Sequence, residues 1–151
     1  MGTPRWLDAD QERAWRGYRR MRTLLDLRIA RDLNQDSGLS EADYDVLSTL
    51  SERPEAEWRS SDLAKHLLWS TSRLSHHVGR MENRGLVARH PTDNDGRGAV
   101  ITLTDHGWAT LRKAAPHHVE SVRRTIIDLL DDQEIATLGR IAEKVIARLS
   151  D

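Results

Sequence analysis

Residues 59–104 read RSSDLAKHLLWSTSRLSHHVGRMENRGLVARHPTDNDGRGAVITLT. Ser60 or Ser61 can start a short helix, because a serine hydroxyl accepts from a first-turn amide that otherwise has no partner. Leu63, Ala64 and Leu67 then form one apolar stripe. Leu68 and Trp69 make a turn, and Ser70 or Thr71 caps a second helix expected to run to about residue 84. On that helix Leu74, Val78 and Met81 recur at i, i+4, i+7 and must face a core. The other side carries Ser72, Arg73, Ser75, His76, His77, Arg80 and Arg84, with Glu82 as its only acid. Gly85 stands where a left-handed C-cap is wanted. Residues 86–90 and 99–104 read as two strands around a polar loop.

A helix, a turn, a helix and a ribbon in this order suit duplex DNA. A major groove admits one helix, and side chains near that helix's N-terminus read base edges. The same N-terminus favours a phosphate. The expected contacts are Ser70, Thr71 and Ser72 at the helix start, and Arg73, Ser75, His76 and His77 on bases or nearby phosphates. Arg80 and Arg84 lie further along, and pairing with an acid is the competing reading for both. Arg97, at the ribbon's tip, can reach an adjacent minor groove. Asp95 is expected to orient Arg97 or a neighbouring backbone group, since an acid is a poor phosphate contact.

The segment resembles the MarR family of bacterial transcription regulators. The resemblance rests on Arg80-Met81-Glu82, Arg84-Gly85-Leu86-Val87, Asp95-Gly96-Arg97 and Leu103-Thr104-Asp105-His106-Gly107, in order and with consistent gaps. It departs at Ser75-His76-His77-Val78-Gly79, where the family often carries Thr-Arg, an aliphatic pair and Asp. Base contacts therefore do not transfer from relatives at these positions. The resemblance implies a winged helix-turn-helix, a repressor, and in some members a pocket for a small effector.

The chain has 151 residues and a net charge of −1. The charge is uneven. Between Arg59 and Arg97 seven cations face four acids, a balance of +3, which leaves about −4 for the remainder. A basic head on an acidic body suits a protein that binds and releases DNA. No apolar run approaches the roughly 18 residues of a membrane span, and the first residues lack a signal-peptide core, so a cytoplasmic location is expected. The sequence has no cysteine, which removes disulfides, thiolate metal sites and thiol redox sensing.

Outside the head, Asp8 with Gln11 makes a capping box for a long helix striped by Trp15, Tyr18, Met21 or Arg22, Leu25, Ile29 and Leu33. At 1.5 Å per residue it spans roughly 40 Å, more than a small domain needs, so part of it is expected to meet a partner chain. Ser40 with Asp43 starts a second helix, striped by Tyr44, Leu47 and Leu50. Trp58 covers the core or begins a short wing strand. Thr104 caps a helix whose Pro116 should kink or split it. Asp131 with Glu134 caps the last helix, striped by Ile135, Leu138, Ala142, Val145 and Leu149.

The expected architecture is mostly α with a small β-ribbon wing. Residues 1–39 and 105–151 form a helical dimerisation module around a winged helix-turn-helix at 40–104, in one compact unit. The function that follows is a homodimeric transcription regulator that binds double-stranded DNA at a pseudo-palindromic operator and responds to a ligand in some cases. A winged-helix adaptor for protein partners, without specific DNA binding, is the alternative.

Adjacent helical residues point about 100° apart, so neither His76-His77 nor His117-His118 can chelate as a pair; neither a metal nor a cofactor is expected. Ser75 and His76 do not converge as a nucleophile and base. Five Trp and no Phe point to core or interface anchors. A sharper reading places a small aromatic effector against Trp15, Tyr18 and Arg22.

Overall fold

The fold comes from a computed structural model, which describes residues 2–55, 57–92 and 98–150. In chain order the elements are α1 (Ala9–Ser37), α2 (Glu41–Glu52), β1 (Trp58–Arg59), α3 (Ser60–Leu67), α4 (Thr71–Asn83), β2 (Val87–Pro91), β3 (Ala99–Leu103), α5 (Asp105–Thr125), a 3₁₀ turn (Ile127–Leu129) and α6 (Asp132–Leu149). Two compact units result, residues 33–118 and residues 1–32 with 119–151.

The first unit, the head, is built around a single core. Leu39, Val46, Leu47, Leu63, Leu74, Val78, Met81 and Ile101 are all buried. The α4 stripe Leu74, Val78 and Met81 faces this core as its spacing requires. The sheet is antiparallel with strand order β1-β3-β2. Trp58 pairs with Ile101 in β1, and β2 runs against β3 from Val87↔Leu103 to Pro91↔Ala99. The two alternatives for Trp58 are not exclusive: it enters the wing sheet and packs against the core.

Local chemistry sets the element ends. Asp8 with Gln11, Ser40 with Asp43, and Asp131 with Glu134 each form reciprocal caps at 2.8–3.0 Å. Ser70 Oγ accepts from Arg73 N at 3.1 Å and starts α4. Gly85 closes α4 with φ +74°, in the left-handed region that glycine enters without strain. Gly107 is required for a different reason. A Cβ there would stand 2.0 Å from the Leu86 carbonyl oxygen, so the α5 start can approach β2 this closely only with glycine. Thr104 Oγ1 accepts from Gly107 N and donates to Gly85 O, tying the end of the wing to the end of α4.

One expectation fails here, and of the two alternatives for Pro116 the split does. Neither Ser60 nor Ser61 caps α3: its N-cap is Arg59, with no side-chain bond. Pro116 does not split its helix, because α5 continues from Asp105 to Thr125 through it. Arg112 and Pro116 are both exposed, so water can replace the one hydrogen bond the proline removes. The break comes later, at the 3₁₀ turn.

The second unit buries almost nothing apolar. Its two buried residues, among those described, are Asp32 and Ser121. Ser121 Oγ donates to Asp32 Oδ2 at 2.7 Å, and Arg28 and Arg124 reach the same carboxylate. The Ser121 bond holds Asp32 below the usual carboxylate range, with the arginines adding to it against the opposing effect of burial. Apolar side chains on α1 and α6 stand open, among them Leu27, Ile141, Val145 and Ile146. Met21, Leu25, Ile126, Leu130, Leu138 and Ile141 line a groove of about 630 Å³. No described helix is long and apolar enough to cross a membrane.

Candidate nucleic-acid interface

The reading face expected of α4 is split by the structure. Thr71, Ser72, Arg73, Ser75, His76 and Arg80 are exposed, whereas His77 is buried at 8%. His77 sits at the edge of the apolar stripe, one turn from both Leu74 and Met81. Its ring meets the Trp69 ring edge-on at 5.5 Å, and its Nε2 lies 2.9 Å from Asp43 Oδ1. The expectation that His77 touches bases or phosphates is therefore corrected: the imidazole faces α2, where a carboxylate receives it.

Asp43 is the hub of this contact. It caps α2 with Ser40, and Arg84 Nη1 donates to its Oδ2 at 2.7 Å. Arg84 Nη2 also donates to Gly38 O at 3.4 Å. Arg84 thus pairs with an acid, the competing reading of that residue. Burial pushes the Asp43 carboxyl up, but the bonds from Arg84 and the Ser40 amide, with the charges of Arg84 and His77, hold it below its ordinary value. Burial pushes the His77 imidazole down, against the pull of Asp43, and Arg80 and Arg73 add to the downward push. No local sequence signal links Asp43 to Arg84, which stand 41 residues apart.

The exposed part of α4 begins with hydroxyls. Thr71, Ser72 and Ser75 line a cleft of about 480 Å³ together with Ser60, Ser61 and Arg89. Arg73 lies over the Trp69 ring at 4.2 Å, a cation–π contact that holds the guanidinium beside the helix start. Ser70 is exposed, with its oxygen engaged as the cap. Arg80 Nη2 is 3.1 Å from His77 Nδ1. Asp95 and Arg97 lie outside the described residues.

Arg89 was counted in the sequence only as one cation of the basic head. It donates to Ser75 O at 3.0 Å and to Ser75 Oγ at 3.4 Å, and lies 3.6 Å from Glu82. The missed signal was strand alternation. Arg89 is two residues from buried Val87 and so shares its α4-facing side.

Trp15, Tyr18 and Arg22 do associate. The two rings stack at 5.9 Å, and the Arg22 guanidinium lies 5.6 Å from the Tyr18 centroid. They form an open surface on α1 and line none of the cavities described. Within the head a smaller cavity of about 220 Å³ is lined by Leu33, Glu41, Tyr44, Asp45, Ser48 and His118. Tyr44 and His118 have ring centroids 4.3 Å apart, and His118 Nδ1 is buried with no hydrogen-bond partner. Burial lowers the His118 pKa and raises that of Asp45. Among the described residues no group of His, Asp or Glu is arranged to hold a metal ion.

Residues 37–98 match the MarR family. The crystal structure of AbsC, a MarR family transcriptional regulator from Streptomyces coelicolor, is similar with a TM-score of 0.90 at 41% identity, over 97% of this chain and 99% of that one. Sco3205, a MarR family transcriptional regulator of the same organism solved in complex with DNA, is similar with a TM-score of 0.88 at 39% identity, over 94% of this chain and 89% of that one. The HTH-type transcriptional regulator PecS of Dickeya dadantii (strain 3937) is 30% identical over 112 residues, 72% of this chain and 68% of its own length.

Proposed function

Because the chain belongs to the MarR family of DNA-binding transcription regulators, we propose that it acts as a homodimeric repressor on a pseudo-palindromic operator. The observation that carries this reading is the division of α4. Leu74, Val78 and Met81 are buried, while Thr71, Ser72, Arg73, Ser75, His76 and Arg80 are exposed. The hydroxyls and the α4 N-terminus take phosphates, and Arg73 and His76 take base edges. Arg97 takes the flanking minor groove, with Asp95 as its support.

The homodimer rests on the end helices. A chain that leaves Leu27, Ile141, Val145, Ile146 and Leu149 about half exposed or more gains most by burying them against a second copy. Two heads then meet half-sites about 34 Å apart, one turn of DNA. Repression follows by occlusion of a promoter. A small aromatic ligand modulates binding; the head cavity beside Tyr44 and His118 supports this, since the unpartnered His118 Nδ1 accepts from a polar group on such a ligand. Trp15, Tyr18 and Arg22 are a second, open surface for the same ligand class.

Selection of duplexes from a random library, read beside sedimentation of the protein alone, tests the reading. The expected result is a recovered palindrome and a dimer. A monomer, or a pool with no shared sequence and no steep salt dependence of binding, overturns it and favours an adaptor for protein partners.

A further inference from the structure

We propose that His77 is a positioning residue which aims Arg80 at DNA, acting as a neutral imidazole between Arg80 and the α2 cap carboxylate of Asp43. The proposal rests on the DNA-reading role given above to α4. A guanidinium has donors only. Arg80 Nη2, 3.1 Å from His77 Nδ1, therefore needs a lone pair on that nitrogen. The proton of the neutral ring then sits on Nε2, the atom 2.9 Å from Asp43 Oδ1. The Arg80 bond at Nδ1 selects this tautomer, and the negative charge of Asp43 beside Nε2, which has no hydrogen bond of its own, favours a proton there.

The surroundings hold the ring in place. Trp69 packs against it edge-on, and the side chain is about 10% exposed. The charged groups facing it are Asp43 from α2, and Arg73 and Arg80 from α4 itself. Arg84, seven residues on from His77, donates to the other oxygen of Asp43. One carboxylate thus meets this stretch at two points two turns apart, through a hydrogen bond from Arg84 and a close charge contact with His77. Arg80 is exposed. Without the Nδ1 contact its long side chain samples many rotamers, and ordering it on DNA then costs conformational entropy. A doubly protonated ring has no acceptor for Arg80 and releases it.

Two near-isosteric variants separate this role from packing. His77→Asn keeps a carbonyl acceptor near the Nδ1 position. His77→Gln keeps an amide donor near the Nε2 position and loses the acceptor. Affinity is measured for the duplex recovered by selection, with thermal melts as the control on folding. His77→Gln is expected to weaken binding about tenfold, as Arg80→Ala does, and the double variant to be no worse than either single one. His77→Asn is expected to stay within about threefold of wild type.

A ¹⁵N-resolved spectrum of the free protein at pH 7.5 adds a readout that needs no DNA: the His77 ring is expected protonated on Nε2 alone. A ring protonated on Nδ1, equal binding by the Asn and Gln variants, or additive losses in the double variant would each overturn the assignment. A wild type that binds no duplex, with the expected tautomer present, overturns the reading role of α4 and leaves the Asp43–His77–Arg80 geometry intact.

Discussion

The head and the chain ends bury their apolar side chains by different means. In residues 33–118 the strands and helices close over Leu63, Leu74, Met81 and Ile101, none more than 2% exposed. In residues 1–32 and 119–151 the two buried positions described are a hydrogen-bonded polar pair, Asp32 and Ser121, while Leu27 is 65% and Ile146 61% exposed. The head has what an independent fold requires. The end helices have well-formed caps and apolar stripes but no closed core of their own among the described residues, and their apolar groove stays open. Element formation and burial are thus separate problems. Capping boxes start α1, α2 and α6 alike, yet α2 packs its whole stripe against the core, α1 gives that core only Leu33 near its end, and α6 buries nothing.

Breaking the head's central contact should have the largest effect. Asp43→Ala removes a carboxylate whose side chain is 5% exposed and leaves His77 and Arg84 without their partner. We expect a loss of about 3–5 kcal/mol, read from urea denaturation. A change under about 1 kcal/mol would deny Asp43 its place as the hub of the head.

The chain ends should respond to a charge rather than to truncation. Ile141→Glu, in the apolar groove, is expected to give monomers in sedimentation and to weaken operator binding roughly 100-fold through lost avidity, with the head still folded by circular dichroism. A stable dimer in this variant would remove the end helices as the subunit contact.

Arg73→Ala tests the exposed side of α4. It should weaken binding by about 1–3 kcal/mol and relax sequence preference at the bases it reads, measured by gel shift over a mutated operator series. Unchanged affinity and preference would move the reading surface elsewhere. Ser121→Ala removes the buried hydroxyl beside Asp32 and should cost about 1 kcal/mol, seen as a lower melting temperature; no shift would mean that the arginines alone hold that carboxylate.

The smallest expected effect is a pH dependence in the head. The folded His77 value lies below the ordinary 6.5, so between those two values the unfolded chain binds more protons. Its contribution to stability is complete above about pH 6.5 and declines as pH falls below it. Asp43 adds a second loss with the same sign, which begins near its ordinary value of 3.8 and continues as pH falls through its lower folded value. Urea midpoints at pH 7.5 and 5.5 should therefore fall further for wild type than for His77→Asn, and equal falls would assign the acid sensitivity to other groups.

Much of this molecule was legible because its signals are local. The α4 stripe depends on a period of 3.6 residues, the three capping boxes on a spacing of three, and the stop at Gly85 on the absence of a Cβ. The wing's closing Thr104 and Gly107 also stood out as a motif, although their reasons did not: one bonds Gly85 O, and the other lies against the Leu86 carbonyl. Pro116 does not split its helix because the penalty for a proline depends on whether water can replace the lost bond, which is a question of exposure.

The amino-acid order by itself determined α1, α2, α4 and α6 with their caps, the two longer wing strands and the basic stretch between Arg59 and Arg97, since each needs only neighbours within a few residues. Tertiary structure alone decided which way the edge of α4 faces. His77 lies at the boundary of the apolar stripe, where helical period permits either side. Its place inside comes from a carboxylate 34 positions earlier in the chain, brought near by the packing of α2 against α4, and no local pattern encodes a contact at that range.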